Sequence, residues 1–183
     1  MDRAVESIRL RLERACAALE TAGVPHAVVG GNAIAVWVGM VDQGAIRNTR
    51  DVDILLRRGD LERATAALAA AGFVPAISFG VTMFLDGPNA KPSESIHIVF
   101  AGEKVQDNYT LPAPDVAEAE RPTTFSVLGL ESLVRMKLTS FRLKDRVHIQ
   151  DLIAVGLIDR SWLNRFPAEL ADRLRELLDN PNA

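Results

Sequence analysis

Two glycines stand between a β-branched run and an apolar helix, and about twenty residues later two aspartates stand one residue apart. No other feature constrains this chain as much. The stretches are "PHAVVGG" (25–31), "NAIAVWVG" (32–39) and "RNTRDVDILL" (47–56). The first reads as a short strand stopped by Gly30 and Gly31, with Asn32 placed to cap the helix that follows. "DVDILL" reads as a second strand. Alternate strand residues share a face, so Asp51 and Asp53 point the same way with Cβ atoms about 6.5 to 7 Å apart, while Val52, Ile54 and Leu56 face the core. Like charges so close repel, and a divalent cation between them relieves that. Mg²⁺ takes one or two protein carboxylates and fills its shell with water and phosphate. A bare glycine turn opening a helix also exposes N–H groups that a phosphate can approach. Taken singly, the glycines read as a tight turn and the aspartates as an exposed edge. Their ordered combination is the equipment of phosphoryl or nucleotidyl transfer.

The remaining chain sets the frame for that site. Residues 3–22 carry Ala4, Ile8, Leu10, Leu12, Ala15, Cys16 and Leu19 at helical spacing up to Gly23. Asp60 is placed to cap a helix from Leu61 to Ala71. From Ala64 to Leu85 no residue is charged, a length that could span a bilayer. Gly72, Pro75 and Gly80 divide it instead into a helix and strands at 73–77 and 81–86. "SIHIVF" (95–100) is a further strand, and the proline- and acid-containing segment 107–124 a loop or linker. After a short "FSVL" strand, the chain reads as helices only. The expectation is an α/β (α+β) fold: a mixed sheet flanked by helices over residues 1–110, then a linker and C-terminal helical subdomain over 111–183.

Charge and cysteine content exclude several function classes. A formal charge of −3 argues against indiscriminate nucleic-acid binding, which needs a basic field. Cys16 is the only cysteine, so there is no disulfide framework and no cysteine-based zinc site. The charged start "MDRAVESIRLRLER" lacks the apolar stretch of a signal peptide, and a cytoplasmic protein without a membrane span is expected.

The order Gly-Gly, helix, "R-x-T-x-D-V-D-hydrophobic" resembles the nucleotidyltransferase superfamily of polymerase β-like fold, through Gly30, Gly31, Gly39, Arg47, Thr49, Asp51 and Asp53. More narrowly it is similar to the minimal and AbiEii-type, toxin-related bacterial nucleotidyltransferases. "LESLVRMKLTSFRLKDRVHIQDLI" carries the second part of that likeness, with Lys137, Arg142, Lys144, Asp145 and Asp151 in place. The resemblance covers about residues 5 to 158. It implies transfer of a nucleoside monophosphate from an NTP to a hydroxyl of RNA, tRNA, protein or a small molecule. It also implies Mg²⁺ or Mn²⁺ held by Asp51 and Asp53, and a cognate antitoxin as partner. Gly30, Gly31 and Asn32 would meet phosphates, as would Arg47, Thr49, Lys137 and Lys144. The last two stand seven residues apart, on one face if a single helix runs through both.

Two positions depart from that pattern. The third carboxylate is expected in strand 95–100, where His97 stands, and His148 occupies a place where aspartate is common. Neutral imidazole can act as a base or ligand, though it suits Mg²⁺ less well than Mn²⁺. Three readings of His97 stay open: a working base or ligand, a weakened site that binds nucleotide without turnover, and an ordinary buried histidine. Glu94 faces the other way from His97. His26 reads as structural. A non-catalytic module binding nucleotide or a protein partner is the alternative to the enzyme.

Overall fold

The computed structural model describes residues 3–180. Residues 1, 2 and 181–183, at the outer ends of the two expected regions, and the side chain of Ala4 lie outside the described residues. α1 (Arg3–Thr21) buries Leu12, Ala15, Cys16 and Leu19, whereas Leu10 faces solvent, contrary to the periodicity. β1 (His26–Val29) is buried throughout and passes directly into α2 (Gly30–Gly39). Gly30, at φ +70°, makes that junction possible, since a residue with a Cβ is strained there. The helix therefore starts before Asn32, whose side chain does not cap it.

β2 (Val52–Leu56) leads through a 3₁₀ turn into α3 (Leu61–Ala70). Asp60 sits at the N-cap position, but its carboxylate accepts from Arg63 rather than from the backbone. β3 (Val74–Ser78) and β4 (Val81–Leu85) form a hairpin, followed by β5 (Ser95–Phe100). The uncharged stretch 64–85 is thus one helix and two strands, and no helix among the described residues is long and apolar enough to cross a membrane.

Residues 107–124 are mostly irregular but include a 3₁₀ turn and β6 (Ala119–Glu120), which pairs with β7 (Val127–Leu128). The sheet is mixed, in the order β3-β4-β5-β2-β1-β7-β6. β2 is central, antiparallel to β1 and parallel to β5, and β7 runs parallel to β1. The boundary expected at residue 110 therefore precedes two strands that complete the same sheet.

α4 (Leu130–Ser140), α5 (Leu143–Ala154) and α6 (Ala168–Asp179) close the chain. They pack with one another, and α4 and α5 reach α2, while α1 packs on α3. Trp37 of α2 donates its indole N–H to the Leu128 carbonyl at 3.0 Å, tying that helix to β7. One buried cluster runs from α1 to α6. Between α4 and α5 the chain turns at Phe141, in the left-handed conformation at φ +47°. Lys137 and Lys144 consequently lie on two helices, not on one face.

Candidate active site

Asp53 sits near the start of the central strand, paired in register with Val29 on one side and His97 on the other. Asp51 lies just before the strand, half-exposed. The glycine pair explains how the carboxylate fits. A Cβ on Gly30 would overlap Asp53 Oδ2 and stand 3.0 Å from its Cγ; a Cβ on Gly31 would stand 2.8 Å from Thr49 Cβ and 2.9 Å from its Oγ1. Missing side chains thus let Asp53 and Thr49 lie directly on the first turn of α2. At the helix's other end Gly39 does the same for Ile46, 2.9 Å from where its Cβ would be. The loop before the aspartates is laid along α2 by these three contacts. Asn32 completes the attachment by donating its side-chain amide to the Asp51 carbonyl at 2.7 Å. At least one of its two N–H bonds is therefore committed to the backbone.

β2 and β5 are parallel, and in-register residues of such a pair share a face. His97 accordingly faces Asp53, with Nδ1 3.5 Å from Oδ1. That is an ion-pair separation rather than a short hydrogen bond. Asp53 raises the imidazole pKa above its ordinary value; burial opposes this, Asp51 adds to it and Lys144 subtracts. Glu94 offers no substitute carboxylate. It lies in the 3₁₀ turn before β5 and accepts from the Lys91 backbone.

α5 supplies the second wall. Lys144 Nζ lies 3.7 Å from Asp51 Oδ2, and Asp151, two turns along, accepts from Arg47 Nε at 2.8 Å. These two pairs anchor the loop 47–51 to the helix. Arg47 is thus engaged with Asp151, while Lys144 remains half-exposed beside the aspartates. His148 lies between them in sequence. Its Nδ1 is buried without a hydrogen-bond partner, and burial, followed by the Lys137 charge, pushes its pKa down to about 4.

Lys137 is placed elsewhere than the sequence reading expected. Its ammonium is buried and donates to Asp145 Oδ1 at 2.9 Å; Asp145 itself is fully buried. The same carboxylate accepts from Ser140 Oγ and Arg142 Nε, both at 2.7 Å, through Oδ2. Burial pulls the Asp145 pKa up, but Arg142, Lys137 and Ser140 together hold it well below the usual carboxylate range. Arg142 was not counted as a phosphate-contacting residue from sequence. Against the opposing effect of burial, Asp145 raises the Arg142 pKa. The place of Arg142 in "R-x-K-D" was the available signal.

Two other groups are structural. His26 Nδ1 bonds the Val24 carbonyl at 2.9 Å, with its Nε2 buried and unpartnered. The Cys16 thiol is pushed up to about 12 by burial, so it is not a nucleophile at neutral pH.

Asp53 fills the space that a Cβ on Gly30 would take, on the face where His97 also stands. Among the described residues no three His, Cys, Asp or Glu side chains are grouped to hold a metal by themselves. Two carboxylates suit an ion that draws its other ligands from phosphate and water.

Solved structures share this architecture at low identity. The antibiotic-resistance factor ANT(2'')-Ia matches with a TM-score of 0.56 and 13% identity, covering 93% of this chain and 90% of that one. JHP933 from Helicobacter pylori matches at 0.56 and 15% over 100% and 77% of the two chains. An antigenic nucleotidyltransferase-like protein from Paracoccidioides brasiliensis matches at 0.58 and 19% over 93% and 88%. Likeness at these identities speaks for the fold alone. A comparison with curated protein sequences returns no match. A family model described as "uncharacterised nucleotidyltransferase" matches residues 2–111, more than half of the sequence, and the chain belongs to that nucleotidyltransferase family.

Proposed function

We propose that the protein transfers a nucleoside monophosphate from an NTP to a hydroxyl acceptor. The observation that carries this reading is the seating of Asp53 on Gly30, with Thr49 on Gly31, at the opening of α2. That arrangement brings a carboxylate and the unpaired N–H groups of a helix start together. In the reaction the acceptor oxygen forms a bond to the α-phosphorus and the bond to the β-phosphate oxygen breaks. Pyrophosphate departs with that electron pair, and the hydroxyl proton passes to a base. Asp51 and Asp53 would hold a divalent cation, Mg²⁺ or Mn²⁺, whose charge polarises the phosphoryl oxygens when bound. The first turn of α2 orients the phosphates, and Lys144 adds positive charge beside Asp51. His97, in register with Asp53, stands where the proton acceptor is expected.

The acceptor class follows from weaker support. ANT(2'')-Ia is described in complex with adenylyl-2''-tobramycin, which supports testing ATP with aminoglycoside hydroxyls. The resemblance of the "R-x-T-x-D-V-D" and "R-x-K-D" segments to toxin-related transferases supports RNA or tRNA, with an antitoxin as partner.

A second reading is favoured by one specific observation: an imidazole, His97, stands in register with Asp53 in the strand where the resemblance expects the third carboxylate. On that reading the site binds nucleotide without turnover. Incubating the protein with each labelled NTP, Mg²⁺ or Mn²⁺, and RNA, protein or aminoglycoside acceptors separates the two. Label should transfer in the native protein and be lost in Asp51→Asn. Calorimetric NTP binding without label transfer supports the second reading, and unchanged labelling by Asp51→Asn removes Asp51 from the metal site.

A further inference from the structure

The turn between α4 and α5 gathers one buried carboxylate and two cations. Asp145 is fully buried, and its Oδ1 takes the Lys137 ammonium while its Oδ2 takes Ser140 Oγ, Arg142 Nε and, at 3.2 Å, the Arg142 backbone N–H. One negative charge faces two positive ones, so the cluster carries an excess positive charge. The two cations differ in access. The Lys137 side chain is 7% exposed and that of Arg142 is 50% exposed. The excess is therefore presented to solvent by Arg142.

The guanidinium is held in a way that leaves one edge open. Its Nε and, more loosely at 3.4 Å, one Nη engage Asp145. The other Nη has no hydrogen-bond partner among the described residues. A guanidinium fixed along one edge offers its remaining N–H groups as a planar fork that matches phosphate oxygens. Burial opposes the Arg142 charge, but Asp145 first, and then Tyr109 and Asp53, raise its pKa above the ordinary value. Lys144, two residues further along, already reaches Asp51 at 3.7 Å. The turn is itself braced, since Arg146 and Arg173 stack over the Phe141 ring at 4.2 and 5.3 Å from its centroid. Such bracing lowers the ordering cost of binding.

We propose that Arg142, positioned by the buried Asp145, binds the outer phosphates of the nucleotide and takes up the charge of the departing pyrophosphate, while Lys137 serves as the internal counter-ion of Asp145. This assignment rests on the transferase reading above. It differs from the sequence expectation, which placed Lys137 and not Arg142 among the residues meeting phosphates.

Titration calorimetry with each of the four NTPs, the matching NMPs and inorganic pyrophosphate, all with Mg²⁺, tests it. Arg142→Ala should weaken binding of NTP and pyrophosphate by about ten- to a hundredfold and leave NMP binding unchanged. Arg142→Lys keeps the charge but loses the fork, and should recover only part of the loss. Lys137→Met should lower the unfolding midpoint while its folded fraction binds pyrophosphate as the native protein does. An Arg142→Ala variant that is folded by circular dichroism and binds pyrophosphate normally overturns the assignment alone. So does a folded Lys137→Met variant that loses pyrophosphate binding. Native protein that binds none of the four NTPs overturns both the transferase reading and the assignment that rests on it.

Discussion

Replacing Gly30 with alanine tests the geometry on which the site depends. Gly30 holds φ +70° at the junction of β1 and α2, and an L-residue there costs about 1–2 kcal/mol. The new methyl would also overlap Asp53 Oδ2, with Asp53 Cγ at 3.0 Å and Cβ at 3.1 Å. The carboxylate must then rotate off its present position, at about 0.5–1.5 kcal/mol if it is driven away from a staggered rotamer. Together the two terms predict a loss of about 1.5–3.5 kcal/mol in unfolding free energy. Urea denaturation followed by circular dichroism measures it as a lower midpoint at unchanged slope. Gly59→Ala is the control, because no atom lies within 4 Å of its Cβ position and its expected change is within about 0.5 kcal/mol. A double-mutant cycle with Asp53→Ala separates the terms: the clash couples the two sites and the backbone strain does not. A loss below about 0.5 kcal/mol in Gly30→Ala would falsify the claim that the glycine is there to admit Asp53.

Two further outcomes follow from local conformation and charge. Phe79 and Gly80 form the tip of the β3–β4 hairpin with φ +48° and +78°, and the Phe79 ring is wholly exposed. A two-residue turn with both φ positive favours Asn-Gly, so Phe79→Asn should raise unfolding free energy by about 1 kcal/mol; a lower urea midpoint would contradict this. His148 is pushed down to about 4 against about 6.5 in an unfolded chain. Stability is therefore intact above pH 6.5 and lost as pH falls from 6.5 towards 4, by about 2 kcal/mol after allowance for partial solvent access. Lys137, Lys144, Asp145 and Asp151 are the charges acting on it. His148→Gln should flatten that part of the pH–stability curve, and an unaltered curve would show that other groups cause the slope.

Local pattern carried much of the fold. Alternation in "DVDILL" marks a real strand, and the glycines at 23, 30–31, 72 and 80 each mark a real boundary, because each reflects backbone sterics that act within a few residues; Pro75 instead lies inside β3, paired with Phe84. The Asp53–His97 pair was accessible for the same reason: once strands 95–100 and 52–56 pair in parallel, register alone puts both side chains on one face. What was not legible depended on distant contacts. Asn32 looks like a helix cap in sequence, yet the helix begins before it because Gly30 reaches the left-handed region, and its amide serves the Asp51 carbonyl nineteen residues away. β6 and β7 are two residues each, too short for any periodicity to show. Lys137 and Lys144 share a face only on an unbroken helix. Phe141, a bulky residue at φ +47°, gives no sequence signal that the helix stops there.

The two histidines that stand where the resemblance expects acids show why residue type alone does not settle a role. His97 lies against Asp53, Nδ1 3.5 Å from Oδ1, and that carboxylate raises the imidazole pKa. His148 is turned into an interface next to the Lys137 charge, and its buried Nδ1 has no partner; it stays neutral near pH 7. An aspartate at position 148 would bring a negative charge into the surroundings of Lys137 and Lys144 and compete with Asp145 and Asp51 for them. With a neutral imidazole there, Lys137 is held by Asp145 and Lys144 remains beside Asp51. The histidine in α5 and the one in β5 thus act in the same direction, each putting one fewer carboxylate around Asp51 and Asp53 than the resemblance expects. That is the electrostatic condition an incoming triphosphate requires.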